Sequence, residues 1–145
     1  MLCPGIAVRF AGLRHHADLR LEPPVWQRSV HRHAVGGSRL AHILALSSWV
    51  AHGHVGLSAA APVLQILGHR VTQLPTIQLS NHPGFPHVAG ARVPPEQLLQ
   101  MIDALDRNGM ISDLDAILTG YLPSAEHVDL AVEVIDRFRG RTPLV

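Results

Sequence analysis

Residues 43–68 read Ile43-Leu-Ala-Leu-Ser-Ser-Trp-Val-Ala-His-Gly-His-Val-Gly-Leu-Ser-Ala-Ala-Ala-Pro-Val-Leu-Gln-Ile-Leu-Gly68, and this stretch decides the fold class. The short apolar run Ile43–Leu46, closed by Ser47-Ser48, predicts a buried strand. Gly53-His54-Val55-Gly56 turns the chain. Leu57–Leu67 then predicts a helix stopped by Gly68. Pro62 inside that helix predicts irregular first turns or a kink.

Working outward towards the C-terminus, Val71–Leu79 predicts a second strand, with Pro75 marking an interruption or an edge position. Pro94-Pro95 opens a helix in which Leu98, Met101, Ile102 and Leu105 follow the i, i+3, i+4, i+7 rule up to Asn108-Gly109. Ala116–Thr119 is a third strand. Ser124 is placed to cap a last helix with the stripe Val128, Ala131, Val132, Ile135 and Phe138, and Arg137, Arg139 and Arg141 suit its negative end. Strands and helices alternate, which predicts an α/β fold with a mostly parallel sheet and right-handed crossovers. Thr142-Pro143-Leu144-Val145 reads as the approach to a further strand. A sheet of about three strands is small for this class, so the sequence reads as truncated.

Towards the N-terminus the composition changes. Residues 1–42 carry six arginines against Asp18 and Glu22, whereas residues 43–145 carry six arginines against nine acids. The first segment has no sustained helical or strand period, and Pro23-Pro24 and Gly36-Gly37 interrupt it. Its Arg and His content would suit a nucleic-acid arm. The absence of any period favours an irregular extension or a mis-set translation start instead, so no nucleic-acid partner is expected. Pro4 and Gly5 break what a secretory signal would need as a continuous apolar run.

The whole chain has 145 residues, 47% of them apolar and only 16% charged, which excludes a disordered tail, a fibre and a coiled coil. No apolar run reaches the roughly 18–20 residues of a membrane-spanning helix, so no membrane partner is expected. The single cysteine, Cys3, cannot form an internal disulfide, and a cytoplasmic location is the default. All 12 basic residues are arginine, so no chemistry here uses a lysine amine.

Ligands of open α/β sheets sit beyond the carboxyl ends of the strands. That rule selects Ser47-Ser48-Trp49, Ser80-Asn81-His82 and Gly120-Tyr121, residue types that also serve as plain turn formers. Elsewhere the chemistry is thinner. His52-x-His54 lacks a third ligand and reads as a pair of turn histidines. Ser48 lacks the GxSxG frame of a nucleophile. Gly53–Gly56 faces a helix start yet matches no nucleotide fingerprint. Asp103, Asp106, Asp113 and Asp115 read as a solvated helix end, and no metal site is expected.

Taken in order, Ile43-Leu-Ala-Leu-Ser-Ser48, Gly53-His-Val-Gly-Leu-Ser-Ala-Ala60, Gln78-Leu-Ser-Asn-His82 and Leu118-Thr-Gly-Tyr-Leu122 resemble the pyridoxal kinases of the ribokinase-like superfamily. The resemblance runs from Ile43 to about Arg139 and has no counterpart in residues 1–42. It implies a ribokinase-like three-layer sandwich, with residues 43–145 as the N-terminal, substrate-side part of a kinase domain and a lid segment at about 79–92. It further implies ATP-dependent phosphorylation of the 5′-hydroxyl of pyridoxal, in vitamin B6 salvage, by a homodimer.

Carried over by position, Ser48 matches the serine that contacts the pyridine ring, and Tyr121 the tyrosine of the third strand's Gly-Tyr. Pro83, Gly84 and Phe85 fall in the substrate loop. Pro83 stands where the family usually has a threonine, and Phe85 where it usually has a tyrosine. The Gly-x-Gly-Asp anion hole and its Asp general base are not found in these residues. The resemblance therefore assigns no catalytic residue to this chain, places ATP and Mg²⁺ on a missing half, and predicts that the chain alone is inactive. The alternatives are a non-catalytic fragment that binds vitamin B6 or a partner, and a related kinase for a pyrimidine alcohol or sugar.

Overall fold

Ile43, Leu44, Ala45 and Leu46 are all buried, as a strand covered on both faces requires. The computed structural model describes residues 40–140; the expectations for residues 1–39 and for Thr142–Val145 lie outside the described residues. Of the extension expected at 1–42, positions 40–42 do fall within them, and there His42 already opens the first strand.

That strand, β1 (His42–His52), does not stop at Ser48 but runs on to His52. Helix α1 (Leu57–Ile66) covers one of its faces through Leu57 and Ala61. Pro62 lies on the exposed side of α1, and the helix runs through it. Strand β2 (Arg70–Asn81) pairs with β1 in parallel, from His42↔Arg70 to His52↔Asn81. A three-residue strand, β3 (Gly90–Arg92), runs antiparallel to β2. Helix α2 (Pro95–Arg107), strand β4 (Ala116–Thr119) and helix α3 (Ala125–Phe138) complete the described chain. The sheet order is β3-β2-β1-β4, with β4 parallel to β1.

The three expected strands are present, and β3 is an addition to them. Its residues Gly90, Ala91 and Arg92 are all exposed, so it carries no apolar alternation by which to see it. On the sheet face away from α1, Leu44, Leu46 and Leu74 pack with Leu98 and Ile102 of α2 and Leu130, Val134 and Phe138 of α3. Helices thus cover both faces, giving the three layers expected.

Helix α3 is turned from the expected stripe. His127, Leu130, Ala131, Val134 and Phe138 are buried, while Val128 and Val132 are exposed. Both stripes follow helical spacing, because apolar residues surround most of this helix. The Ser124 hydroxyl makes no cap to the backbone and instead lies 2.7 Å from His127 Nδ1. The other ring nitrogen donates to the Val93 carbonyl at 2.9 Å, so His127 ties the start of α3 to the segment before α2.

The pairing of β1 with β2 slips once. Ser47 faces Pro75 and Ser48 faces Ile77, which leaves Thr76 as an extra residue in β2. Proline cannot donate to a ladder, and a bulge beside it absorbs the lost bond. The bulge also exchanges faces. Pro75 lies on the α1 side, whereas Ile77 and Leu79 lie on the other side with Ser48 and Val50.

At the opposite end of the strands His42 is 3% exposed and fully engaged. Its Nδ1 lies 2.9 Å from Asp113 Oδ1 and its Nε2 2.9 Å from the Thr72 hydroxyl. Its backbone N–H donates to Asp115 at 2.8 Å, and Arg70 donates to Asp113 at 2.8 Å. Burial works against the charged form of Asp113, but the His42 hydrogen bond and the Arg70 charge outweigh it and hold the carboxyl below its ordinary range. Asp103 and Asp106 both pair with Arg137, at 2.6 and 2.9 Å. The four aspartates expected at a solvated helix end are therefore bound to partners on two separate sides of the fold.

Candidate functional site

At the carboxyl ends of β1 and β2 the helix-covered face opens into a cleft of about 460 Å³. Its floor is built by alternation. Ser48 and Val50 point into it from β1, and Ile77 and Leu79 from β2, after the bulge has turned that strand over. Val55 from the turn before α1 and Val88 from the β2–β3 loop add to the apolar wall. The polar groups come from Ser48, His82 and Tyr121. A cleft of this size, apolar with a few fixed polar groups, suits a small planar molecule carrying polar substituents.

Ser48 is half-buried, and its hydroxyl makes no hydrogen bond to another described residue. Gly56 crosses directly over it. With φ 54 and ψ −132, Gly56 adopts a conformation that only glycine visits readily, and a side chain there would collide with the Ser48 carbonyl and hydroxyl. Tyr121 follows the end of β4. Its backbone N–H donates to Ser47 Oγ at 3.2 Å, and its carbonyl accepts from the Thr76 hydroxyl at 2.8 Å.

The loop between β2 and β3 forms the rim. Ser80 exchanges contacts across its base: Ser80 N–H donates to the Ala89 carbonyl at 2.7 Å, and Ala89 N–H to Ser80 Oγ at 2.9 Å. The Asn81 amide donates to the carbonyls of His82 and His87, both at 3.1 Å. Ser80 and Asn81, expected beside a ligand, thus brace the loop that carries Pro83. Gly84 N–H donates to His82 Nδ1 at 3.0 Å, which orients the His82 ring at the rim.

Of the five residues expected at the substrate, Ser48, Pro83 and Tyr121 line the cleft together. Gly84 and Phe85 do not, and Phe85 is 63% exposed. Trp49, adjacent to Ser48 in sequence, faces the other side of the sheet, in a hollow with Leu57, Gln73 and Pro75. The lining residues that sequence reasoning missed are the apolar ones, Val50, Val55, Ile77, Leu79 and Val88, whereas His82 was among the residues selected beyond the second strand. For Val50 the signal was strand alternation from Ser48. For Ile77 and Leu79 no such signal exists, since the bulge at Thr76 reverses the alternation.

Among the described residues no group of three or more His, Cys, Asp or Glu is placed to hold a metal ion. Mg²⁺ in phosphoryl transfer is held by one or two carboxylates together with the phosphates. No Asp or Glu among the described residues lines the cleft, so its lining does not fit the Mg²⁺ that a kinase of this resemblance would use. No helix of the described residues is long and apolar enough to cross a membrane.

No family model matches the chain. Among curated proteins, it is 36% identical over 102 residues to the pyridoxal kinase PdxY of Corynebacterium diphtheriae, covering 70% of this chain and 36% of that protein. Among solved structures, it is similar to the pyridoxal kinase of Leishmania donovani in complex with ADP and pyridoxamine. There the TM-score is 0.66 and the identity 34%, over 69% of this chain and 35% of that one. The pyridoxal kinase of Entamoeba histolytica gives a TM-score of 0.68 at 26% identity, over 72% of this chain and 39% of that one. The chain thus spans little more than a third of the length of the relatives it matches.

Proposed function

We propose, for a chain homologous to the pyridoxal kinases and sharing their ribokinase-like fold, that the cleft at the ends of β1 and β2 is the substrate side of a kinase that phosphorylates the 5′-hydroxyl of pyridoxal. The observation that carries this reading is the convergence of Ser48, Pro83 and Tyr121 on one apolar cleft. They come from three separate segments, and all three are positions that the family resemblance selects. In this reading Ser48 donates to the pyridine ring and Tyr121 closes the opposite wall, while Pro83 and the rest of the 82–89 loop shield the ring from water. Gly84 and Phe85 belong to the same loop and act by shaping it.

ATP and Mg²⁺ are the co-substrate and ion of this reading, and the general base belongs with them. Support for placing all three away from this cleft comes from its lining, which includes no Asp or Glu among the described residues to serve as base or to hold the ion, and from the chain's share of its relatives' length. The 145-residue chain is accordingly inactive alone. A homodimer and a cytoplasmic location are part of the same proposal, by likeness to the family.

Two experiments test it. Purified chain incubated with ATP, Mg²⁺ and pyridoxal yields no pyridoxal 5′-phosphate; clear turnover would overturn the half-site reading. Pyridoxal titrated against the chain binds, and Ser48→Ala and Tyr121→Phe each weaken that binding by about three- to tenfold, as loss of one hydrogen bond to a ligand does. Affinities unchanged in both variants would remove these residues from the site.

A further inference from the structure

Tyr121 is held by two hydroxyls that do not themselves line the cleft. Past the end of β4, Gly120 N–H still donates to the Leu46 carbonyl at 2.8 Å, and there the backbone ladder with β1 ends. The next donor, Tyr121 N–H, is taken by Ser47 Oγ at 3.2 Å. The Tyr121 carbonyl is taken by the Thr76 hydroxyl at 2.8 Å. Ser47 is buried, and Thr76 is fully buried.

The fit is close. A side chain at Gly120 would strike the Ser47 hydroxyl, so the Gly120–Tyr121 step lies directly on Ser47. Thr76 is also the extra residue of the β2 bulge, and its own carbonyl accepts from Val93 N–H at 3.0 Å. One buried residue therefore joins three things: the bulge that turns Ile77 and Leu79 into the cleft, the return of the chain into α2, and the carbonyl of Tyr121.

We infer that Thr76 and Ser47 are positioning residues that fix the Tyr121 ring at the wall of the cleft. Their role for substrate rests on the pyridoxal reading above, but their hold on Tyr121 does not. The Tyr121 N–H belongs to the peptide before its Cα and the Tyr121 carbonyl to the peptide after it. The two hydroxyls therefore hold the two peptide planes that flank the Cα and thereby set the direction in which the side chain leaves. A methyl group of the same size in place of the Thr76 hydroxyl keeps the packing and leaves the Tyr121 carbonyl without its partner.

Tyr121 is the only tyrosine among the 145 residues, so 3-fluorotyrosine labels it alone. The ¹⁹F resonance of the full chain is compared for wild type, Thr76→Val, Thr76→Ser and Ser47→Ala, each also titrated with pyridoxal. Ile102→Val, remote in the core, controls for a general loss of stability. The expected result is a shifted or broadened resonance in Thr76→Val and Ser47→Ala, recovery in Thr76→Ser, and no change in Ile102→Val. Pyridoxal affinity falls about five- to tenfold in the first two and returns with serine.

A resonance unmoved in both Thr76→Val and Ser47→Ala would overturn the inference, and so would an equal change in Ile102→Val. Should Thr76→Val fail to fold, Ser47→Ala decides. Should the wild-type chain not bind pyridoxal at all, the functional reading falls, and the resonance still decides whether these hydroxyls hold Tyr121.

Discussion

Ser48 owes its place at the cleft to a neighbour with no side chain. Gly56 lies against both the carbonyl and the hydroxyl of Ser48, at a positive φ of 54. Gly56→Ala would introduce a strained backbone and a collision together, so a loss of about 1–3 kcal/mol is expected, measured by urea unfolding. An unchanged midpoint would mean that the turn 53–56 moves freely away from β1. Trp49 makes the converse point. One residue along from Ser48, it belongs to the opposite face of the sheet. Trp49→Phe is therefore expected to leave pyridoxal binding within about twofold, a smaller change than one lost hydrogen bond produces. A tenfold loss in that titration would place the ligand on the α1 face instead.

At the scale of elements, α3 shows how an apolar surplus hides a helix's orientation. Val132 and Val134 are two positions apart and hence roughly opposite each other on the helix. Val134 is 1% exposed and Val132 is 52% exposed. Val134→Ala should cost about 1–3 kcal/mol and Val132→Ala less than about 0.5 kcal/mol by thermal or urea unfolding. Equal costs would contradict the observed packing. The pairing of β1 with β2 and of β1 with β4 is secured at its other end by His42, Arg70, Asp113 and Asp115. Because the Asp113 carboxyl is held below its ordinary value, the folded state favours its ionised form. That contribution is present above about pH 4 and is lost as the pH falls through the lowered value. Asp113→Asn should lower stability at neutral pH and flatten its decline as the pH falls below about 4; an unaltered acid slope would show that Asp113 is not a source of it. The side chain is 40% exposed, so solvent screens the effect and keeps it small.

On the scale of the whole molecule, the sheet separates two environments. One face is sealed by α2 and α3 over the first half of the strands and open over the second, and the open part is the cleft. The other face carries α1, whose outer residues Val63 and Ile66 are exposed, as is Leu67 just past its end. The cleft has walls on the side of β1, β2 and the 82–89 loop, and its polar groups are few. Such a site can hold and orient a ring, whereas transfer of a phosphoryl group depends on concentrated positive charge and backbone donors around the phosphates. Among the described residues, Arg70, Arg137 and Arg139 are instead paired with aspartates.

Much of this was readable from local pattern. Ala116–Thr119 falls at the bounds read from its apolar run, and Pro95–Arg107 begins at the proline and ends before the Asn-Gly expected of it, because these signals act within a few residues. Tyr121 was likewise visible just past a strand end, whereas Ser48, expected at the end of a strand, lies within one that continues to His52. What local pattern could not supply was any property set by a partner distant in sequence. β3 exists only because Ile77–Leu79 offers it an edge. The buried stripe of α3 is chosen by Leu44, Leu46 and Leu98 rather than by its own periodicity. The faces of Ile77 and Leu79 depend on one unmatched residue, Thr76, which appears as extra only when β2 is laid beside β1. Strand alternation is a local rule with a period of two, and a single bulge reverses it for everything that follows. The sequence by itself thus determined the longer elements and their order; tertiary pairing decided the edge strand β3, the buried face of α3 and which side chains share one cleft.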